Sequence, residues 1–204
     1  MNPKIILAVA PTGGWGRGND NPITPDAIAR DVIACAQAGA AVVHMHARNE
    51  KGELTTDLAP FSRAVAAFKA SCDIVLEAST GGLSNLTAAE RVLPASSDDA
   101  EMGSLNIGSL NFEDAVYQNS LPDVRLWIET MVRSGVKPSL EIFDTGHLET
   151  APPLYRGRSG GAALHLHYYF QRQLGHALRS GAPCVPEITP ASRKSLGGDF
   201  YPQS

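Results

Sequence analysis

The sequence predicts an α/β fold of the (β/α)8 TIM barrel type, here an incomplete barrel of about five β/α units with an atypical tail. Three observations predict it. Short apolar, β-rich runs begin near residues 4, 41, 73, 102 and 139 with helix-like stretches between them, which implies a parallel sheet under helical cover. Polar residues follow several different runs (Thr12, His44 and His46, Ser79, Ser104 and Asn106, Glu141), as in a barrel that gathers its chemistry from many strand ends. The loop Pro11–Gly18 carries neither G-x-G-x-x-G nor a P-loop Lys-Ser/Thr pair, against the commonest open doubly wound sheet, whose site sits at one switch point. A complete barrel needs about 250 residues, and these 204 leave room for five or six units.

The elements follow in order. Lys4–Ala10 reads as strand 1, since a single lysine and six apolar residues before Pro11 suit a strand better than a signal peptide. Thr24 caps a helix with Pro25 at its first position, an apolar face of Ile28, Val32 and Cys35 or Ala36, and Gly39 at its end. Strand 2 is Ala41–His46. A helix over about 57–70 buries Phe61, Val65 and Phe68, and strand 3 is Asp73–Ser79. Thr87-Ala88-Ala89-Glu90 is a capping box opening a short helix, and strand 4 is Met102–Ile107. A second cap at Ser120 starts a helix that packs Val124, Trp127 or Ile128, and Met131 before Gly135; strand 5 is Ser139–Phe143.

The net charge of −4 gives no reason to expect nucleic acid or an acidic membrane surface as a partner, and no stretch approaches transmembrane length. Three widely spaced cysteines, Cys35, Cys72 and Cys184, form neither a disulfide framework nor a C-x-x-C site, which points to a reducing, cytoplasmic setting. Residues 1–150 hold 11 Lys and Arg against 19 Asp and Glu, whereas residues 151–204 hold 6 against 2. The sequence therefore divides into β/α units over 1–150 and a basic, Gly/Pro/Arg-rich tail over 151–204, expected to be poorly ordered.

The chemistry starts at Ala41–Arg48, A-V-V-H-M-H-A-R. With a side-chain period of two, a strand aims His44 and His46 the same way and Val43 and Met45 the other. Two imidazoles at one strand end can give two nitrogens to one divalent metal, although H-x-H alone is equally compatible with a structural pair. Glu77 shares a strand face with Ser79 and reads either as a site carboxylate or as half of an ion pair. Asp144 suits a helix cap, and His147 lies close to the strand 5 end. A second H-x-H, His165-Leu166-His167, suits a half-buried strand, and His176 a surface position.

Taken together, H-M-H-A-R at 44–48, S-T-G-G at 79–82 and S-L-N-I-G-S-L-N-F at 104–112 resemble the β-keto acid cleavage enzymes, with P-T-G-G at 11–14 and the segment 138–146 in support. The resemblance implies a zinc-dependent, usually homo-oligomeric barrel. Such an enzyme condenses a small-molecule β-keto acid with acetyl-CoA and cleaves the adduct into acetoacetate and a new CoA thioester. It makes His44 and His46 ligands to Zn2+ or another divalent metal. It places Ser79, with Gly81 and Gly82 behind it, Ser104 and Asn106 around the substrate and its carboxylate. Glu141 becomes the catalytic carboxylate and Arg48 a neighbour of the reacting centre. Where family members that take an amino-substituted acid carry glutamate, this chain has Trp15, which implies a neutral or apolar acyl chain. Beyond Glu149-Thr150 this reading finds no counterpart to the family's third zinc ligand and catalytic aspartate, as in a truncated paralogue or a shifted reading frame. Two rival functions stand beside the enzyme: a non-catalytic barrel remnant that serves as a binding or association module, and a different metal-dependent aldolase or lyase.

Overall fold

The computed structural model describes residues 6–12, 21–82, 84–112, 114–155 and 165–168, with 152–155 and 165–168 as backbone. In chain order the elements are β1 (Ala8–Val9), α1 (Pro25–Gln37), β2 (Val42–Met45), α2 (Ala59–Lys69), β3 (Val75–Ala78), α3 (Ala88–Arg91), β4 (Met102–Asn106), β5 (Leu110–Phe112), β6 (Ala115–Tyr117), α4 (Leu121–Arg133), β7 (Lys137–Ile142), α5 (Thr145–Tyr155) and β8 (His165–Tyr168). The chain divides into Met1–Gln171 and Arg172–Ser204; the second unit lies outside the described residues.

The helices start where their caps dictate. Thr24 accepts the Ala27 N–H at 3.2 Å, Thr87 and Glu90 form a reciprocal capping box, and Ser120 accepts the Asp123 N–H at 3.3 Å. Each cap satisfies an N–H that the first helical turn leaves without a partner. Replacing Ser120 with Ala should lower stability by about 1 kcal/mol, read as a shift of the urea midpoint at unchanged slope.

Strand order decides between the two architectures the sequence leaves open. The main sheet runs β1-β2-β3-β4-β7-β8, and every adjacent pair is parallel. Successive strands always join the same growing edge, so the order never reverses and there is no switch point of the doubly wound kind. This is half of a barrel wall. Its two faces differ sharply. Val43, Met45, Leu76, Ala78, Leu105 and Leu140 face the helices and share one core with Val32, Phe61, Phe68, Val124, Trp127 and Met131. Burial of such a side chain contributes about 1.5–3 kcal/mol.

The opposite face is polar. Register pairs His44 with Glu77, Ser104 with Ser139, and Asn106 with Glu141, so these groups line what would be the inside of the barrel.

The structure adds a hairpin and a helix to the sequence reading and bears out the strand at His165–His167 and the cap at Asp144. β5 and β6 form a separate antiparallel hairpin between β4 and α4. α5 follows β7, with Asp144 Oδ1 accepting the His147 N–H at 3.1 Å, so Asp144 is a cap. β8 places the backbone of His165 beside Ser139 and of His167 beside Glu141 as a further parallel strand. Among the described residues β1 pairs with β2 through Ala8 and Val9; Lys4 and Ile5 lie outside them. Cys35 and Cys72 are free thiols, and Cys184 lies outside the described residues. Among the described residues no helix is long and apolar enough to cross a membrane.

Candidate active site

β2 ends in the two imidazoles. Their ring centroids lie 5.1 Å apart with planes at 75°. His44 Nδ1 meets Glu77 Oε2 at 2.8 Å, and His46 Nδ1 meets the Gly81 carbonyl oxygen at 3.2 Å. A carbonyl can only accept, so His46 carries its proton on Nδ1 and its Nε2 is the lone-pair nitrogen. The Glu77 carboxylate favours the same tautomer in His44. Burial acts to lower the His44 pKa, but the Glu77 hydrogen bond and the charges of Glu141 and Glu77 outweigh it and leave the pKa raised. His46 is held well below the ordinary imidazole value, first by burial and then by His44 and Arg48.

These features test the pair as metal ligands. Two imidazoles on one tetrahedral ion, with metal–nitrogen bonds of about 2.0–2.1 Å, would have ring centroids roughly 5 Å apart, matching the 5.1 Å observed. A carboxylate or carbonyl on the distal nitrogen is the usual way in which a ligating histidine is oriented. Among the described residues no cluster of three or more His, Cys, Asp or Glu forms around them. The pair therefore fits two positions of a tetrahedral site. Glu77, completely buried at 0% exposure, sits behind His44 as the group that orients it, which settles its reading as a pairing residue.

The hydroxyls lie one strand over. Ser104 Oγ is 3.5 Å from Ser79 Oγ, and Thr80 Oγ1 donates to the Ser104 carbonyl at 2.7 Å. The glycine loop lies behind Ser79 and is held by hydrogen bonds. The Gly81 N–H donates to Ser79 Oγ at 3.0 Å and the Gly82 N–H to the Tyr117 hydroxyl at 3.0 Å. Both amides are therefore engaged within the protein. Gly82 has φ +120°, and an added Cβ would run into Leu54, so glycine is required there.

Glu141, at the end of β7, accepts a short hydrogen bond from Asn106 Nδ2, and the same nitrogen donates to the Tyr117 hydroxyl at 3.2 Å. Asn106 Oδ1 and Ser139 Oγ are buried without a hydrogen-bond partner among the described residues, and register puts both on the polar face.

Other sequence candidates make local hydrogen bonds. Arg48 is buried and donates from Nη1 to the Gly52 carbonyl at 2.7 Å, closing its own loop. Thr12 donates to the Pro22 carbonyl at 2.7 Å. His147 accepts the Phe143 N–H at 3.3 Å and packs over Gly108, a local structural role. Trp15 and His176 lie outside the described residues, as do the side chains of His165 and His167. Sequence reasoning missed Tyr117, Arg91 and Ser139. Ser139 was findable, because it is two residues before Glu141 on the same strand face.

A parallel half-barrel with its polar groups at the C-terminal strand ends defines a β/α-barrel protein built for small-molecule chemistry. The chain belongs to the beta-keto acid cleavage enzyme family, whose sequence profile matches residues 4–189. That match continues past Thr150, where the motif reading ends the resemblance. The 3,5-dioxohexanoate:acetyl-CoA acetone transferase of Paraburkholderia graminis is 32% identical, over 71% of this chain and 56% of that protein. The 3-keto-5-aminohexanoate cleavage enzyme of Fusobacterium nucleatum is 31% identical, over 74% of this chain and 57% of that protein. The chain thus spans a little over half the length of these relatives. Among solved structures, a ternary complex of ObcA with a C4-CoA adduct and oxalate superposes with TM-score 0.62 at 24% identity, over 72% of this chain and 36% of that one, a likeness of fold.

Proposed function

We propose that this chain exchanges acyl groups between a β-keto acid and acetyl-CoA, giving acetoacetate and a new acyl-CoA, with a divalent metal, zinc by preference, on His44 and His46. The observation that carries this is the imidazole pair, oriented by Glu77 and the Gly81 carbonyl, on the same polar face as Ser79, Ser104, Asn106 and Glu141. Curated relatives are named for acetyl-CoA-dependent transfers, including a 3-oxoadipate:acetyl-CoA acetyltransferase from Cupriavidus necator that is 31% identical over 82% of this chain.

A β-keto acid presents a carboxylate, a ketone and an acidic C2 carbon between them. The bound metal would act as a Lewis acid toward the ketone oxygen. The hydroxyls of Ser79 and Ser104 donate to the substrate carboxylate and fix its orientation. Glu141, held by Asn106, takes the proton from C2. C2 then bonds to the acetyl carbonyl carbon of acetyl-CoA as the acetyl C–S bond breaks; the released CoA thiolate adds to C3, the C2–C3 bond breaks, and C2 takes the proton back from Glu141. Carbon, sulfur and proton balance without a further reactant. Arg48 contributes through its charge, which helps hold His46 neutral. Trp15, at the position where relatives that take an amino-substituted acid carry glutamate, supports a neutral or apolar acyl chain. The protein works in the reducing cytoplasm as a homo-oligomer, a reading supported by its free thiols and by the exposed Val116, Leu121 and Val132.

The deciding experiment supplies zinc, acetyl-CoA and a straight-chain β-keto acid and follows acetoacetate together with the new thioester by mass spectrometry. Equimolar products that vanish on chelation are expected. Zinc binding without either product would favour the non-catalytic module, and cleavage that ignores acetyl-CoA would favour an aldolase or lyase. Replacing Glu77 with Gln should weaken zinc binding about 10- to 100-fold by loosening His44, measured by competition with a chromophoric chelator.

A further inference from the structure

The hairpin β5–β6 carries a tyrosine to the back of the site. Tyr117 is buried, and its hydroxyl receives three donors: the Gly82 N–H at 3.0 Å, Asn106 Nδ2 at 3.2 Å and Arg91 Nη2 at 3.3 Å. A Cβ on Gly81 would lie 2.6 Å from that hydroxyl, so the loop closes directly onto it. One oxygen thus touches the strand 3 loop and the side chain that holds Glu141. Burial pushes the Tyr117 pKa up to about 12, so the phenol stays protonated at any working pH.

Arg91 fixes the other end. Its guanidinium lies 4.4 Å from the Trp127 ring centre and 5.3 Å from that of Tyr117. It donates to the Thr80 carbonyl at 2.9 Å, the Gln118 carbonyl at 2.7 Å and Asn119 Oδ1 at 2.7 Å. Asn119 in turn donates to the Gly108 carbonyl at 3.1 Å. The planar fork therefore joins the loops after β3, β4 and β6 while stacked on the fully buried Trp127. Nothing in this arrangement reaches the reacting carbon. Everything in it bears on where Ser79, Asn106 and Glu141 stand.

We propose that Arg91 and Tyr117 are positioning residues: a strut from the helical core that sets the Ser79–Gly82 loop and, through Asn106, the Glu141 carboxylate. The proposal rests on the reading of Ser79 and Glu141 as substrate-facing groups. It explains why both loop amides are engaged internally, since the loop is braced for its serine hydroxyl and not for its N–H groups.

The test pairs two variants with two readouts on the full chain loaded with zinc. Tyr117→Phe keeps the ring and removes the shared acceptor, and Arg91→Lys keeps the charge but not the fork. Both should speed hydrogen exchange at the Gly82 amide on the order of tenfold, the loss of about one hydrogen bond, with the melting midpoint little moved. Both should also raise KM for the β-keto acid and lower kcat, each severalfold, with KM for acetyl-CoA unchanged. Unchanged Gly82 exchange in Tyr117→Phe would overturn the strut, and so would faster exchange with both keto-acid constants unmoved. If the wild-type chain makes no acetoacetate, the functional reading fails by itself, while the exchange experiment still decides whether the strut braces the loop.

Discussion

Glu141→Gln is expected to lower the rate of proton removal from C2 of a bound β-keto acid by roughly 10²- to 10⁴-fold, the range associated with a positioned general base. The amide is isosteric, and its oxygen still accepts from Asn106 Nδ2, which holds Glu141 in the native site. Geometry is thus retained while basicity is removed. The carboxylate also acts on its surroundings: its charge helps raise the pKa values of His44 and Tyr117, which places it electrostatically among the metal pair and the strut. The direct measurement is deuterium exchange at C2 in D2O, with zinc present and acetyl-CoA absent, so that the half-reaction is seen alone. Exchange within about tenfold of wild type would assign the base to another group and leave Glu141 as an electrostatic neighbour.

How much of this site could be read from sequence depends on which regularity encodes it. His44 and His46 were legible because a strand alternates strictly, and one apolar run before them was enough to orient both. The same parity correctly puts Ser104 with Asn106 and Glu77 with Ser79. What parity cannot give is register between strands. That Glu77 stands opposite His44 is a property of the β2–β3 pairing, set by turn lengths and core packing spread over the whole unit. The Glu77 role therefore stayed open until the fold closed it. The internal bonds of the glycine loop lay out of reach for another reason: the Gly81 amide turns back to Ser79, but the Gly82 amide meets Tyr117 from the β5–β6 hairpin. Tyr117 is one residue of a three-residue strand in that hairpin, too short for any periodic pattern to announce. The helical core was the easiest to read, since α1, α2 and α4 carry apolar residues at helical spacing and α1, α3 and α4 start at a side-chain cap.

Trp127→Ala should cost about 3–5 kcal/mol of stability, or a fall in Tm of roughly 10 °C at 2–4 °C per kcal/mol in a domain of this size. Several losses coincide at this position. The indole is entirely buried at 0% exposure, so truncation opens a cavity under the sheet, bounded by other fully packed side chains such as Met131. Its Nε1 donates to the Ala88 carbonyl at 2.7 Å, a bond that ties α4 to α3. Removal leaves that carbonyl short of a donor in a place of limited water access. The ring is also the platform on which Arg91 rests at 4.4 Å, so the fork would lose its base as well as its neighbour. Trp127→Phe separates the terms. It restores most of the volume and a stacking face but not the donor, and should recover more than half of the lost stability. If truncation shifted Tm by less than about 3 °C, the α3–α4 layer would not be the support on which Arg91 stands. The strut from helical core to glycine loop would then have to be anchored through Asn119 and the β4 loop alone.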